Sequence, residues 1–282
     1  MSTRDDMISP RDFERLRRLI YDEAGIHLGK EKRTMLEVRI KRRLRDLQMY
    51  SYAQYCDYLF CGKGFDEELV HLIDVVTTNK TDFFREASHF DFLREKALDE
   101  LSARIIDRPL RFWSAACSTG EEPYTLAMVL SEYAETHAEF RYSILASDIS
   151  TTVLEKAHTA IYTTDALDPV PMRMRRKFFL RSRDRTVNKV RVAPELRAQI
   201  EFHRINLIDS SYRVDGEFDA IFCRNVLIYF DRKTQKKILD KLCSSLNARG
   251  FLFVGHSEAL HDMNLPLDSV APALYRRKDE RV

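Results

Sequence analysis

Trp113-Ser-Ala-Ala-Cys-Ser-Thr-Gly-Glu-Glu-Pro-Tyr-Thr-Leu-Ala-Met128 runs from an apolar strand through a single glycine into two carboxylates and a helix. In an open α/β sheet, ligands sit at such strand-to-helix turns, and the free N–H groups of a helix N-terminus there suit anions. This turn instead carries Glu121 and Glu122. Two acids repel a pyrophosphate at short range, so the crevice suits a nucleotide-like ligand that bears positive charge and no phosphate. S-adenosylmethionine, with its sulfonium and amino group, meets that description. Acids in the first turn of a helix are also favourable through the helix dipole. Capping of that kind accounts for one of two consecutive acids followed by Pro123, so Glu122 is expected to face the ligand and Glu121 to serve the fold.

On either side of this turn, from Leu110 onward, short β-rich runs alternate with helical ones. Strands are expected over 111–116, 142–147, 200–205, 218–223 and 251–255, with a last one near 273–277 after a Pro-containing loop. Helices are expected over 121–134, 151–157 and 232–246. Such alternation argues for an α/β fold, a mostly parallel sheet with helices on both faces. Upstream, to about Phe84, the pattern is helical. Phe13, Leu16 and Ile20 share one face behind a Ser9-Pro10 start, and Leu36, Ile40, Leu44 and Leu47 share another. Residues 50–60 and 67–76 read as short helices separated by Gly62-Lys-Gly64. The organisation is therefore a small all-helical domain over 1–84, a linker helix over 85–109 and an α/β domain over 110–282. Residues 161–194 break the alternation and are too long for an ordinary connection. With Phe178-Phe-Leu180 and 187–192 as short strands, they read as an inserted lobe carrying a hairpin.

The length of 282 residues accommodates these two domains, and 44% hydrophobic with 32% charged residues describes a soluble globular chain. The net charge of +2 conceals a local imbalance: the stretch opening at Lys30 and closing at Arg45 holds eight Lys or Arg against Glu31 and Glu37. It reads as a basic helix face. The five cysteines include no C-x-x-C pair, which fits a reduced, cytoplasmic compartment. Arg4, Asp5 and Asp6 leave no apolar core for a signal peptide, and apolar runs such as 226–230 are too short to span a bilayer. The eight histidines are scattered without a metal signature, so no metal ligand set is expected, and there is no P-loop.

Other segments add chemistry. Tyr142-Ser-Ile-Leu-Ala-Ser-Asp148 ends in a carboxylate where nucleotide-binding folds accept ribose hydroxyls, though Asp148 would equally serve as a helix cap. A second buried strand runs into Arg224 and Asn225, with Tyr229 close behind; for Tyr229 and Phe230 plain core packing is the competing reading. Thr77-Thr-Asn-Lys-Thr-Asp-Phe-Phe-Arg85, at the domain junction, mixes hydroxyls, an amide, an aromatic pair and a cation, where capping by Thr77 or Asn79 is the simpler explanation. Gly255-His-Ser-Glu-Ala259 is one residue away from a nucleophile elbow, but only His261 follows Ser257, so a serine hydrolase order has no room.

Together these segments resemble the chemotaxis receptor methyltransferase (CheR) family. The likeness rests on Thr77-Thr-Asn-Lys-Thr-x-Phe-Phe-Arg85, Trp113-Ser-Ala-Ala-x-Ser-Thr-Gly-Glu-Glu-Pro-Tyr124, Ala146-Ser-Asp148, Ile221-Phe-Cys-Arg-Asn-Val-x-Ile-Tyr-Phe230 and Gly255-His-Ser-Glu258, and it covers nearly the whole chain in order. It implies a Rossmann-like class I methyltransferase sheet with an inserted small antiparallel β-subdomain. It also implies methyl transfer from S-adenosylmethionine to glutamate side chains in the cytoplasmic helices of transmembrane chemoreceptors, yielding methyl esters and S-adenosylhomocysteine. The family's cofactor contacts match Asn79, Thr81, Arg85, Glu122, Asp148, Asn206, Leu207, Arg224 and Asn225; Asn206 and Leu207 fall where an adenine edge would be read. In many members the inserted subdomain docks a receptor C-terminal peptide through a glycine-bearing loop. Arg181-Ser-Arg-Asp-Arg-Thr-Val-Asn-Lys189 has no glycine, which counts against tethering here, while its basic character still suits an acidic partner.

A glutamate acceptor is ionised at neutral pH, since free Glu titrates near about 4.3, so no strong base is required. Arg85 and Tyr229 are the candidates for positioning it. The basic stretch would seat Glu-rich receptor helices. It would also attract RNA, and a nucleic-acid methyltransferase and a cofactor-sensing binding module are the other readings. The sequence lacks the aromatic and basic interleaving of single-stranded RNA readers, and no nucleic-acid partner is expected.

Overall fold

The computed structural model describes residues 7–61, 65–105, 107–184, 186–260 and 262–279. The glycines expected to separate two helices, Gly62 and Gly64, and His261 lie outside them. Helix α1 (Pro10–Ala24) starts where the sequence predicts. The Ser9 hydroxyl accepts the Asp12 N–H at 3.0 Å, and Pro10 occupies the first turn, where its missing donor costs nothing. Its buried stripe of Phe13, Leu16, Ile20 and Ala24 packs on Leu36, Ile40 and Leu44 of α2 (Arg33–Asp46). Helices α3 (Tyr52–Cys61) and α4 (Phe65–Val76) close this core with Tyr55, Leu59, Leu72 and Val76. The basic stretch is not one continuous helix, because Lys30–Lys32 form a 3-10 turn before α2 begins.

The connection 85–109 holds α5 (Ser88–Phe92), a π-helical segment at Leu93–Ala97, and α6 (Leu98–Arg104). Phe90, Leu93, Ala97, Leu98 and Leu101 are buried against the sheet, so these turns cover one of its faces.

The α/β domain then alternates β1 (Leu110–Ala115), α7 (Glu121–Thr136), β2 (Tyr142–Asp148) and α8 (Thr151–Thr159). The inserted lobe follows, with β3 (Ile161–Thr163), α9 (Met172–Phe178), β4 (Phe179–Arg181), β5 (Lys189–Val192) and α10 (Pro194–Arg197). The main sheet resumes with β6 (Ile200–Arg204), β7 (Phe218–Cys223), α11 (Arg232–Ser244), β8 (Leu246–Val254), β9 (Leu267–Ala271) and β10 (Leu274–Arg277). Its order is β6-β2-β1-β7-β8-β10-β9, with parallel pairing from β6 to β8 and antiparallel pairing of β10 to both neighbours. Strand order reverses between β1 and β7, the place where open α/β sheets form their ligand crevice. Side chains alternate between two cores. Phe112, Ala220, Phe222, Phe251 and Phe253 face α7 and the lobe, whereas Trp113, Ile221, Cys223, Leu252 and Val254 face α11.

The lobe forms a three-stranded antiparallel sheet, β3-β5-β4, where a hairpin was expected. Its additional strand is only three residues long, too short for a periodic signal. It is seated by Tyr162 and Phe179, which meet the Phe83 ring edge-on at 5.0 and 5.6 Å, and by Tyr162 Oη donating to Thr119 O at 2.7 Å. Strand β9 is also unanticipated: it lies at the sheet edge with a mostly exposed Leu-Asp-Ser-Val-Ala run. The five cysteines are free thiols, with Cys61 exposed and the others buried. Among the described residues, no helix is long and apolar enough to cross a membrane.

Candidate active site

After β1 the backbone passes through left-handed conformations at Ala116 (φ 63°), Ser118 (φ 51°) and Gly120 (φ 98°) before α7 begins. Glycine is required at the last of these. A Cβ there would also stand 2.8 Å from Tyr162 Oη and 2.9 Å from Ala157 Cβ. The Asp148 carboxylate accepts the Ser118 N–H at 2.9 Å and the Ser150 N–H at 3.0 Å, tying the first turn to the second. It is not the cap of the next helix, as one reading allowed; Ser150 is, with its hydroxyl accepting the Val153 N–H. Burial pushes the Asp148 carboxyl above its ordinary range, against the pull of the backbone donors. The Ser118 hydroxyl donates to Asn79 O at 3.0 Å, bringing the domain junction to the turn.

The acidic pair divides. Glu121 accepts the Thr119 hydroxyl at 2.6 Å beside the turn. Glu122 stands on the cavity wall, accepting the Ser114 hydroxyl at 2.6 Å and Arg224 Nη1 at 3.0 Å. Burial raises both carboxyls, with Arg224 opposing this at Glu122.

Arg224 is enclosed, its side chain 2% exposed. Beyond Glu122 it donates to the Arg85 carbonyl and to Glu86 Oε2 at 3.0 Å, with its guanidinium over the Phe90 ring. Glu86 lies one residue beyond the junction motif that ends at Arg85, and the sequence does not single it out. It also accepts Asn225 Nδ2 at 3.1 Å and the His256 N–H at 3.2 Å. Burial raises its pKa, but the Asn225 and Arg224 interactions outweigh that and hold the carboxyl below its usual range. Glu258 is the second miss. Its two oxygens accept the N–H groups of Asn225 (2.8 Å), Leu227 (2.7 Å), Ile228 (3.3 Å) and Gly255 (2.6 Å). The Gly255-to-Glu258 motif is therefore a backbone clamp for the Arg224–Asn225 turn. A Cβ at Gly255 would reach 2.4 Å from Asn225 Nδ2.

His89 and His256 join Glu86 in one cluster, although the sequence reading expected no metal ligand set. Burial holds His89 at a pKa of about 4, so its ring is neutral. The signal that could have found this trio is the Glu86-x-x-His89 spacing at a helix start.

These elements surround a cavity of about 100 Å³ that opens to solvent. The junction contributes Asn79, Thr81 and Arg85; the turn, Glu122; β2, Asp148; the segment after β6, Asn206 and Leu207; and the segment after β7, Arg224, Asn225 and Tyr229. All the expected site residues thus share one cavity, whose remaining wall includes Ala24, Ile26 and Val76 of the helical domain. Their local geometry differs. Asn206 Nδ2 donates to Glu23 O at 2.7 Å, so this amide hydrogen serves the domain contact. Arg85 Nη1 donates to Lys80 O at 3.0 Å, and Tyr229, half-buried, accepts the His27 N–H at its carbonyl. The residues fit S-adenosylmethionine: Ile149 and Leu207 offer apolar surface, Asp148 and Glu122 are acceptors, and Arg224 is already engaged by two carboxylates. Residues 11–77 match the family described as "CheR methyltransferase, all-alpha domain", and residues 79–273 match "CheR methyltransferase, SAM binding domain".

The chain belongs to the CheR methyltransferase family. It is 42% identical to the chemotaxis protein methyltransferase of Escherichia coli, covering 89% of this chain and 85% of that one. It is 40% identical to chemotaxis protein methyltransferase 2 of Pseudomonas aeruginosa, over 94% and 92% of the two chains. The Borreliella burgdorferi chemotaxis protein methyltransferase is 37% identical over 96% of this chain and 95% of its own. In this CheR-family chain the α/β domain is the S-adenosylmethionine-binding part, and the cavity lies where it meets the all-helical part.

Proposed function

We propose that this enzyme esterifies glutamate side chains of chemoreceptor cytoplasmic helices, acting in the cytoplasm as a protein-glutamate O-methyltransferase. The observation that carries the reading is a basic groove between α2 and α8 that shares Asn79 with the cavity. Its lining includes Arg39, Arg42, Arg43, Arg45 and Lys156 against two acids, Asp46 and Asp74. Part of the charge of α2 is used inside the fold. Arg39 donates to the carbonyls of Val76 and Thr77, Arg43 pairs with Glu68, and Arg33 with Glu37. Lys41, Arg42 and Arg45 remain exposed and supply the attraction for a Glu-rich helix. The inserted subdomain is a second contact surface for the receptor.

Asn79, Thr81, Arg85, Glu122, Asp148, Asn206, Leu207, Arg224 and Asn225 would hold S-adenosylmethionine. When bound, it supplies an electrophilic methyl group on a sulfonium. The acceptor carboxylate arrives ionised, so the chain's task is placement and desolvation. Arg85 and Tyr229 orient it. A two-pronged arginine grip would stabilise the ground-state anion and blunt its attack, so Arg85 guides and does not clamp. Arg224, satisfied by Glu86 and Glu122, shapes the wall. Its charge is neutralised there.

The test is incubation with S-adenosylmethionine labelled in the methyl group, receptor-containing membranes and RNA. Label in receptor protein, released by alkali as methanol, is expected; label in RNA would overturn the reading. Asp148→Ala is expected to abolish calorimetric binding of S-adenosylhomocysteine. Arg85→Ala and Tyr229→Phe are expected to lower turnover, and full turnover in both with unchanged cofactor affinity would remove their assignment.

A further inference from the structure

We propose that Glu86, His89 and His256 form a binding site for a divalent transition-metal ion of the zinc type, set behind the cofactor cavity, and that an ion held there opposes cofactor binding. The second part rests on the cavity being the S-adenosylmethionine site.

The ligand atoms of the three residues lie within 4.8 Å of one another. Glu86 Oε2 is 3.6 Å from His89 Nδ1, and the two imidazole rings stand edge to face with centroids 4.9 Å apart. His89 is 3% exposed; its ring faces the Pro272 backbone, yet neither ring nitrogen makes a hydrogen bond of full geometry. An unpaired polar group that deep is costly, and native structures seldom leave one without a purpose. Coordination would satisfy it. His256 is exposed and gives the ion a route from solvent, while its own N–H bond to Glu86 keeps two of the ligands together.

The donor set selects the ion. Two imidazoles and one carboxylate suit zinc, nickel or copper(II); magnesium and calcium favour all-oxygen sites. Zinc takes nitrogen at about 2.0–2.1 Å, so binding draws the exposed His256 ring towards the fixed His89.

The cost falls on the cavity wall. Glu86 Oε2, the oxygen nearest His89, is also the acceptor for Arg224, and Oε1 holds Asn225. A dication on Glu86 competes with the guanidinium and repels it. The Arg224–Asn225 turn, which lines the cavity, loses its side-chain ties to Glu86 and keeps only Glu122 on Arg224 and Glu258 on its backbone. Linkage makes the effect reciprocal: the cofactor must weaken the ion by the same factor.

The experiment is zinc chloride titrated calorimetrically into chelator-treated full-length protein, and S-adenosylhomocysteine titrated with and without saturating zinc. Wild type is expected to bind one zinc per chain that His256→Ala binds at least about tenfold more weakly. That variant alters an exposed side chain, and its melting temperature checks the fold. Saturating zinc is expected to weaken S-adenosylhomocysteine about tenfold in wild type and not in His256→Ala. Equal zinc binding in both proteins, as adventitious sites would give, overturns the site. Zinc lost in the variant with S-adenosylhomocysteine affinity unmoved by zinc overturns the coupling. Absence of S-adenosylhomocysteine binding in zinc-free wild type refutes the cofactor reading and with it the coupling, while the zinc comparison still decides the site.

Discussion

Glu258 shows how one buried carboxylate can set an active-site wall without touching a ligand. Four backbone N–H groups converge on it, and they hold Asn225 at φ 57°, a left-handed conformation unusual outside glycine. Glu258→Gln replaces an acceptor oxygen by an NH2 that faces donors. It is expected to cost about 2 kcal/mol in thermal melts and to weaken S-adenosylhomocysteine in calorimetry; wild-type values in both would refute the clamp. The residues that end strands, Asp148 and Arg224, were legible because an apolar run stopping at a polar group marks the rim of a parallel sheet. Glu86 and Glu258 were not, since their partners are backbone groups and side chains distant in sequence. The backbone itself was equally hidden. Phe84, Glu86, Ala116, Ser118 and Asn225 are left-handed without a glycine to announce it.

At the scale of elements, two periodicities carried the prediction. Apolar residues at helical spacing located α1 and α2, and alternation of two buried faces located β1, β7 and the inner half of β8. What failed lacks either period. The edge strand β9 is mostly exposed, β3 has three residues, and nothing in Leu93–Ala97 distinguishes a π-helical segment from an α-helix. Polar links between helices are likewise invisible in sequence. Glu68 is 1% exposed and accepts Arg43 Nε at 3.0 Å, Arg43 Nη2 at 2.7 Å and the Tyr55 hydroxyl at 2.9 Å, joining α2, α3 and α4. Glu68→Ala takes away the buried partner of Arg43 and leaves it only the more exposed Asp46. It is expected to destabilise the protein by about 3 kcal/mol in denaturant unfolding, and a change below about 1 kcal/mol would show that the site relaxes or hydrates.

Over the whole molecule, the two domains are joined around the cavity. Tyr21 Oη donates to Asp231 at 2.5 Å, Thr152 Oγ1 to Asp74 at 2.8 Å, and Asn206 Nδ2 to Glu23 O. A ligand filling the space between them should stabilise both. S-adenosylhomocysteine at about one hundred times its Kd contributes about 2.7 kcal/mol, which is expected to raise the melting temperature by about 5 °C. Two separated transitions, only one of them shifted, would show that the domains respond independently. The left-handed backbone around this cavity has a further consequence for anyone retargeting the enzyme to another acceptor. It sorts the lining into fixed and free letters. At Ala116, Ser118 and Asn225 a library should admit Gly, Asn or Asp and exclude Val, Ile and Pro whatever room the side chain has. Tyr229, on the acceptor side, lines the same space on backbone outside that region, and diversity belongs there.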